Sequence, residues 1–343
     1  MHKQVTMQAI ADEAGVSTAT VSRVLKGHPA VLEETRQKVQ SLIDRYHYVP
    51  NFAASSLVRQ QSNMLGMMVE NIENPYFASM FSAAETRALE EGYSLMMMTE
   101  QPGGEEIQTI RRLIQHQIDG LVLLSNRING RPPEEKIVRF VQEIAQQVPL
   151  VLINEYLEDL HIPCVFADNR EGFLQAFRFL YHLGHRRIAL VGGLDDNQTF
   201  HIRRQAYLDF LKEAGLPFQE AYLQMNGYTF EDAMNSMHRI MSSAQLPTAI
   251  LANNNIIAMG IMRVCHDHHI HIPDHLSLIT CDNTFISEAV TPSLTALDID
   301  PREQGRQAID ILLSMIRGET PPSLSIRIPS RLVVRSSTAR PPA

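Results

Sequence analysis

The chain has 343 residues, of which 44% are apolar and 20% are charged, a composition typical of a globular protein and not of a disordered one. No apolar run reaches the roughly 18 to 20 residues of a membrane span, and the polar start MHKQVTMQAIADEAG lacks the apolar part of a signal peptide, so we expect a cytoplasmic protein without membrane contact. Cys164, Cys265 and Cys281 show no CxxC spacing and predict no disulfide framework.

The net charge of −8 is distributed unevenly along the chain. Residues 1–61 contain 7 Lys and Arg against 5 Asp and Glu, whereas the remaining residues contain 23 against 33. A mildly basic segment attached to an acidic body is typical of a module that binds a polyanion, joined to a part with another task.

The amino-terminal segment predicts three helices. Apolar residues recur at helical spacing within 7–14, 18–25 and 32–46, and a turn containing glycine separates the first two segments. Ser17 or Thr18 is a favoured N-cap for the second helix. Helix, short turn and helix, followed by a supporting helix, is the pattern of a helix-turn-helix unit that binds DNA.

The pattern changes after this segment. Residues 51–63, NFAASSLVRQQSN, are rich in small side chains and predict a weak helix and linker that a partner can order. From Leu65 onward, short apolar runs alternate with longer amphipathic stretches, which predicts parallel sheets covered by helices on both faces, in one wide sheet or two lobes. The predicted strands are LGMMV (65–69), SLMMM (94–98), GLVLL (120–124), PLVLI (149–153), CVFA (164–167), RIALVG (187–192), AILA (249–252) and LSLIT (276–280).

Five stretches carry a more specific signal through their order and spacing. They are AGVSTATVSRVL (14–25), YVPNFAASSL (48–57), NPYF (74–77), GHRRIALVGG (184–193) and LITCDN (278–283). With them the chain resembles the LacI/GalR family of bacterial transcriptional regulators along essentially its whole length. The resemblance implies an all-α helix-turn-helix head at 1–50, a hinge helix and linker at 51–63, and an α/β core like that of periplasmic binding proteins at 64–343.

The resemblance also implies how the core is divided and what the protein binds. The core has two lobes with parallel sheets, the first at about 64–166 and 297–325 and the second at about 167–296 and 326–340. We expect a homodimeric repressor that binds a pseudo-palindromic double-stranded DNA operator under the control of a small-molecule effector, without a cofactor. The ending STARPPA shows no heptad repeat of a tetramerising coiled coil, which favours a dimer.

The helix at 18–25 is predicted to lie in the major groove, because short side chains let a helix approach the bases closely. Arg23 can reach guanine O6 and N7, while Thr18 and Ala19 can touch a thymine methyl group. The alternative is that the hydroxyl groups only cap and solvate a surface helix. The expected DNA-contacting residues are Thr6, Ser17, Thr18, Ala19, Thr20, Ser22, Arg23, Asn51 and Leu57.

Leu57 matches the hinge leucine that members of the family insert into the minor groove at the centre of the operator. Such a wedge stays in place only when the contacts that the kink permits offset the unstacking of the bases. The alternative is that Leu57 packs between hinge helices or against the core.

The expected effector residues lie after predicted strands of both lobes. Arginine, aspartate and asparagine side chains that converge from separate loops can bind vicinal hydroxyl groups of a sugar, a sugar derivative or the ribose of a nucleoside, while aromatic rings cover the apolar face. For single residues the alternative is structural: Asp282 as a helix cap, Arg203 as a surface charge, Tyr76 in the core. The set is Tyr76, Phe77, Asn154, Glu155, Asn197, Arg203, Tyr228, Asn254 and Asp282.

Three positions depart from the family pattern. Ala9 replaces the usual acidic residue three positions after Thr6, which removes one partner of a capping box. Asn255 stands where Asp is common, and Thr280 replaces the usual glycine. Both weaken any effector identity taken over from other members.

Two further features of the sequence bear on metal binding and on catalysis. The stretch CHDHHIH (265–271) places His266 and His269 on one helix face, but its position at a helix end favours a structural role, and we expect no metal site. No serine or cysteine has an activating neighbour, so we expect no enzymatic activity. The alternatives are a sugar- or nucleoside-processing enzyme and a plain ligand-binding protein, each with an appended DNA-binding head.

Overall fold

A computed structural model describes residues 5–25, 27–48, 62–99, 106–153, 160–321 and 323–342. The chain divides into two compact units, Met1–Ser62 and Asn63–Ala343. None of the helices in these ranges has the length and apolar character needed to cross a membrane.

The first unit contains the three predicted helices, α1 (Met7–Ala14), α2 (Thr18–Leu25) and α3 (Glu33–Arg45). Their apolar faces meet in one small core. Gly15 ends α1 in the left-handed conformation at φ +68°, which a glycine adopts without steric cost, and the chain turns there into α2. The buried core residues are Ile10, Ala11, Ala14, Val21, Val24, Val39, Leu42 and Ile43.

The start of α1 has half of a capping box. The Thr6 hydroxyl accepts a hydrogen bond from the backbone N–H of Ala9 at 3.2 Å. Because Ala9 has no acceptor of its own, it cannot return a bond to the backbone N–H of Thr6.

Replacing the exposed Ala9 with Glu is expected to stabilise α1 by a few tenths to about 1 kcal/mol, because the carboxylate completes the capping box and interacts favourably with the helix dipole. Hydrogen exchange of the α1 amides in the full chain measures this as slower exchange. The matched Ala9→Lys variant places the opposite charge at the same position and should speed exchange. Equal protection in both variants would show that the helix start is fixed by tertiary packing instead.

The second unit contains two six-stranded sheets. The first consists of β1 (Met64–Val69), β2 (Ser94–Thr99), β3 (Gly120–Leu123), β4 (Leu150–Ile153), β5 (Cys164–Ala167) and β11 (Ser325–Ile328). The second consists of β6 (Ile188–Val191), β7 (Leu223–Gln224), β8 (Ala249–Ala252), β9 (Ser277–Cys281), β10 (Thr295–Asp298) and β12 (Arg331–Val333). Their orders are β11-β5-β4-β3-β1-β2 and β12-β10-β9-β8-β6-β7.

All pairings are parallel except that of β12 with β10, which is antiparallel. The eight predicted strands are therefore confirmed, and the prediction of parallel sheets needs a correction at the edge of the second sheet. The antiparallel exception arises because the chain enters β12 directly from the loop after β11, without a crossover helix that would restore the parallel direction.

Helices cover both sheets. In the first lobe α12 packs against α4, and in the second α7 packs against α8 and α9 against α10. The helices of the unit are α4 (Pro75–Glu90), α5 (Glu106–Gln115), α6 (Glu135–Ala145), α7 (Asn169–Leu183), α8 (Gln198–Glu213), α9 (Phe230–Met241), α10 (Asn255–Asp267), α11 (Phe285–Ala289) and α12 (Pro301–Ile316).

The chain passes between the lobes three times: after β5, after β10 and after β11. The second and third passages fall between Asp298 and Pro301 and between Ile328 and Arg331. The approximate boundaries at 297 and 326 taken from the sequence lie a few residues earlier. These passages place the carboxyl ends of the parallel strands of both sheets around one cleft.

Candidate functional site

The α2 helix of the first unit has one apolar and one polar face. Val21 and Val24 are buried in the core, whereas Ala19 and Arg23 are exposed. Thr18, Thr20 and Ser22 are half-buried beside them. Arg23 is thus the long basic side chain on a surface of short ones, as the major-groove interpretation requires.

Three of the hydroxyl groups predicted to contact DNA have structural partners. Ser17 Oγ accepts a hydrogen bond from the backbone N–H of Thr20 at 3.2 Å and lies 3.0 Å from Thr20 Oγ1, and Thr6 caps α1. These groups therefore fix the helix starts, and their contacts with DNA stay a prediction. Asn51 and Leu57 lie outside the described residues.

The cleft between the two lobes has a volume of about 1160 Å³. Asn154 and Glu155 lie outside the described residues, and the other seven predicted effector residues all line this cleft. They are Tyr76, Phe77, Asn197, Arg203, Tyr228, Asn254 and Asp282.

Arg203 is a buried cation and not a surface charge, with 5% of its area exposed. Its Nε donates to Asn169 Oδ1 at 2.9 Å, and its Nη1 donates to the backbone oxygen of Asn253 at 3.0 Å. The guanidinium lies 4.9 Å from the Phe173 ring centroid and 5.6 Å from that of Phe200. These contacts hold the charge in one orientation at the wall of the cleft.

Asp282 follows β9 and is 4% exposed, in the left-handed conformation at φ +67°. Burial raises the pKa of its carboxyl group to about 6, although the positive charge of Arg203 lowers that pKa in part and the Cys281 thiol adds a small lowering effect. The negative charge of Asp298 raises the pKa slightly further. Asp282 therefore changes its charge close to neutral pH.

If the Asp282 carboxylate accepts hydrogen bonds from effector hydroxyl groups, effector affinity should rise about tenfold from pH 5 to pH 7, because the ionised fraction rises by that factor across a pKa of about 6. In the folded state the pKa of Asp282 lies above its ordinary value of 3.8, so the folded state holds this proton more tightly than the unfolded state. The contribution of Asp282 to the free energy of unfolding therefore falls as the pH rises from about 4 to about 6. Titration calorimetry at several pH values measures the affinity.

The Asp282→Asn variant is the control for that titration. It should bind more weakly at pH 7 and lose the rise in affinity with pH. A wild-type affinity that stays constant between pH 5 and pH 7 would exclude a role for the carboxylate.

The first lobe contributes aromatic residues at the start of α4. Asn74 caps this helix by accepting a hydrogen bond from the backbone N–H of Tyr76 at 3.0 Å. The Tyr76 hydroxyl donates to Gln304 Oε1 at 3.2 Å, and burial raises the pKa of that hydroxyl strongly. Phe77 is 8% exposed and belongs mainly to the core of the first lobe.

The second lobe contributes another aromatic pair. The rings of Phe200 and Tyr228 are nearly parallel, with centroids 6.4 Å apart and an interplanar angle of 14°. Tyr228 is 42% exposed and offers a ring face for an apolar ligand surface. The sequence interpretation missed Phe200, although its position one turn before Arg203 on α8 places both on one helix face.

Asn197 joins the two lobes. Its Nδ2 donates to Asn126 Oδ1 at 2.9 Å, and its Oδ1 accepts from Asn129 Nδ2 at 3.3 Å. Backbone bonds run beside them, from Gln198 N–H to the oxygen of Asn129 and from Arg131 N–H to the oxygen of Asp196, both at 2.7 Å. The polar atoms of Asn197 therefore hold this arrangement of the lobes.

Three consecutive asparagines after β8 have different tasks. The backbone oxygen of Asn253 binds Arg203, whereas Asn254 Oδ1 caps α10 by accepting from the N–H of Ile257 at 2.7 Å. Asn255 Nδ2 donates to Ser287 at 2.9 Å and lies 3.4 Å from Thr280 Oγ1. The two departures from the family pattern, Asn255 and Thr280, are thus parts of one buried hydrogen-bond network.

The histidine-rich stretch 265–271 lies within the described residues. Within the described ranges, no group of three or more His, Cys, Asp or Glu side chains is arranged to hold a metal ion.

Comparison with known proteins identifies both parts of the chain. Residues 6–51 match the bacterial regulatory proteins of the lacI family, and residues 177–338 match the periplasmic binding protein-like domain. Catabolite control protein A of Priestia megaterium is 30% identical over 337 residues, which are 97% of this chain and 99% of that protein. The HTH-type transcriptional repressor CytR of Escherichia coli K12 is 29% identical over 334 residues, which are 97% of this chain and 96% of that protein.

Solved structures show the same fold. The lac repressor dimer bound to operator and the anti-inducer ONPF has a TM-score of 0.85 at 24% identity, covering 98% of this chain and 100% of that chain. The transcriptional regulator CelR in complex with cellobiose has a TM-score of 0.72 at 24% identity, covering 97% and 99%.

A helix-turn-helix unit joined to a two-lobed ligand-binding core defines a DNA-binding transcriptional regulator and not an enzyme. With a relative of 30% identity along nearly its whole length, the chain belongs to the LacI family of bacterial regulatory proteins.

Proposed function

We propose that a dimer of this protein binds a pseudo-palindromic operator in the cytoplasm through its two α2 helices, and that a sugar, sugar derivative or nucleoside in the cleft changes that affinity. The observation that carries the proposal is the pair of buried, oppositely charged groups at the cleft wall, Arg203 and Asp282. Burying a charged group costs free energy. A buried charged group that faces an open cleft is therefore typical of a ligand site.

The effector chemistry follows from the donors and acceptors of the cleft. A carboxylate accepts hydrogen bonds from vicinal hydroxyl groups, and the exposed face of Tyr228 covers an apolar ring surface. The related regulator solved with cellobiose supports a ligand with many hydroxyl groups.

Control of DNA binding requires that the effector bind one arrangement of the lobes better than another. The cross-lobe hydrogen bonds of Asn197 stabilise the arrangement described here. An effector that contacts residues of both lobes, such as Tyr76 and Arg203, biases the balance between arrangements by its difference in affinity for them.

The test combines two measurements on the full chain. A thermal-shift screen against sugars and nucleosides finds ligands that stabilise the native state. Fluorescence anisotropy then measures binding to a duplex selected from a random library, with and without each hit. We expect binding that weakens steeply with salt and changes at least severalfold with a hit. Binding that does not depend on salt, or turnover of a hit, would overturn the proposal.

A further inference from the structure

The charges that line the cleft restrict the class of effector. We infer that the cleft takes an uncharged ligand and rejects its phosphorylated counterpart; this inference rests on the proposed function and narrows its ligand class. Three observations carry it: the balance of charges, the engagement of both cations, and the capping of the helices that begin at the cleft.

Carboxylates outnumber cations among the described residues of the cleft lining. Among its described residues the lining contains neither Lys nor His, and the guanidinium groups there belong to Arg127 and Arg203. The lining carboxylates are Glu70, Glu73, Glu231 and Asp282.

Both guanidinium groups already have partners. Arg203 donates to Asn169 and to the backbone of Asn253. Nε of Arg127 lies 3.8 Å from Oε2 of the buried Glu106. Nη1 of Arg127 lies 3.6 Å from Oε2 of the more exposed Glu134. A phosphate group that drew Arg127 away from these carboxylates would leave the buried carboxylate of Glu106 without its counter-charge.

Helix N-termini, the other common phosphate sites, are occupied by the protein's own side chains. Three of the helices that begin at the cleft have an asparagine cap whose Oδ1 accepts from the first turn, and Thr229 caps α9 through its hydroxyl group. The acceptors are Asn74 for the N–H of Tyr76 at 3.0 Å, Asn197 for Thr199 at 3.0 Å and Asn254 for Ile257 at 2.7 Å. A phosphate would therefore gain little from these backbone donors.

A phosphate monoester adds a charge of about −1.5 to −2 near neutral pH. Placed in a cleft whose lining is already net negative, it is repelled, and the repulsion is strong because the cleft is partly shielded from water. A neutral sugar or nucleoside avoids this repulsion and still offers hydroxyl donors to Asp282.

Matched pairs of compounds test the inference on the full chain. The pairs are D-ribose and D-ribose 5-phosphate, D-glucose and D-glucose 6-phosphate, and cytidine and cytidine 5′-monophosphate. Calorimetry is then carried out on the pair of which a member raises the melting temperature. We expect the phosphorylated compound to bind at least about tenfold more weakly than its uncharged counterpart. This ratio of affinities should become smaller as the salt concentration is raised.

Two outcomes are distinguishable. Equal or tighter binding of a phosphorylated member overturns this inference and leaves the proposed function standing. If no member of any pair, and no other sugar or nucleoside, raises the melting temperature, the proposed function fails and the inference fails with it.

Charge variants locate the effect. Glu231→Gln and Glu73→Gln remove one carboxylate each from the lining and should shift the ratio of the two affinities severalfold towards the phosphorylated member. Glu143→Gln, on the exposed face of α6 and outside the lining, removes the same charge elsewhere and should leave the ratio unchanged. Equal ratios in all three variants would overturn the inference.

Discussion

Replacing Arg23 with alanine is expected to weaken operator binding by about 1 to 3 kcal/mol for each half-site, roughly 5- to 150-fold. Arg23 is an exposed long side chain on α2 and is not part of the buried core of the first unit. Its removal should therefore leave the folding of the first unit unchanged. Fluorescence anisotropy with the selected duplex measures the loss, and circular dichroism checks the fold.

Lys38→Ala is the matched control, because Lys38 is exposed on α3 of the same unit and carries the same charge. If Arg23 reads a guanine, its variant should also lose discrimination at one base pair of each half-site, whereas the Lys38 variant should keep the same base preference. A uniform loss on all sequences in both variants would reduce Arg23 to a general electrostatic contact.

Most of the strands that the sequence predicted correctly are buried, although the predicted β2 is a half-buried edge strand and the fully buried β10 was not predicted. Runs such as AILA in β8 and LSLIT in β9 are continuous and apolar because helices cover them on both sides. The strands β11 and β12 were not predicted, since each lies at the edge of a sheet and includes polar residues in SIRI and RLV. β7 has only two residues, too few for any periodicity.

The candidate site was predictable where one residue follows one strand, as for Asp282 after β9. The site was not predictable where the role of a side chain depends on a partner that is distant in sequence. Tyr76 and Gln304 are 228 positions apart in sequence and meet only because α12 packs against α4. Likewise, the bond between Asn197 and Asn126 depends on how the two lobes are placed, which no local pattern encodes.

Replacing Arg203 with alanine is expected to abolish the response to effector and to lower the free energy of unfolding of the core by about 2 to 4 kcal/mol. The variant removes the two buried hydrogen bonds that Arg203 donates to Asn169 Oδ1 and to the backbone oxygen of Asn253. It also removes the positive charge that lowers the pKa of Asp282, so this carboxyl group should be more protonated at neutral pH. Chemical denaturation measures the stability and calorimetry the effector affinity.

The Arg203→Lys variant separates charge from geometry. A lysine keeps a positive charge near Asp282 but cannot reproduce two directed hydrogen bonds from one planar group, so we expect it to restore little effector binding. Arg170→Ala is the matched surface control: Arg170 pairs with Asp209 at 2.9 Å with 57% of its side chain exposed, and its loss should change stability by less than about 1 kcal/mol. A full effector response in Arg203→Lys would show that the cleft needs only a positive charge at this position. A full effector response in Arg203→Ala would show that Arg203 has no role in effector binding.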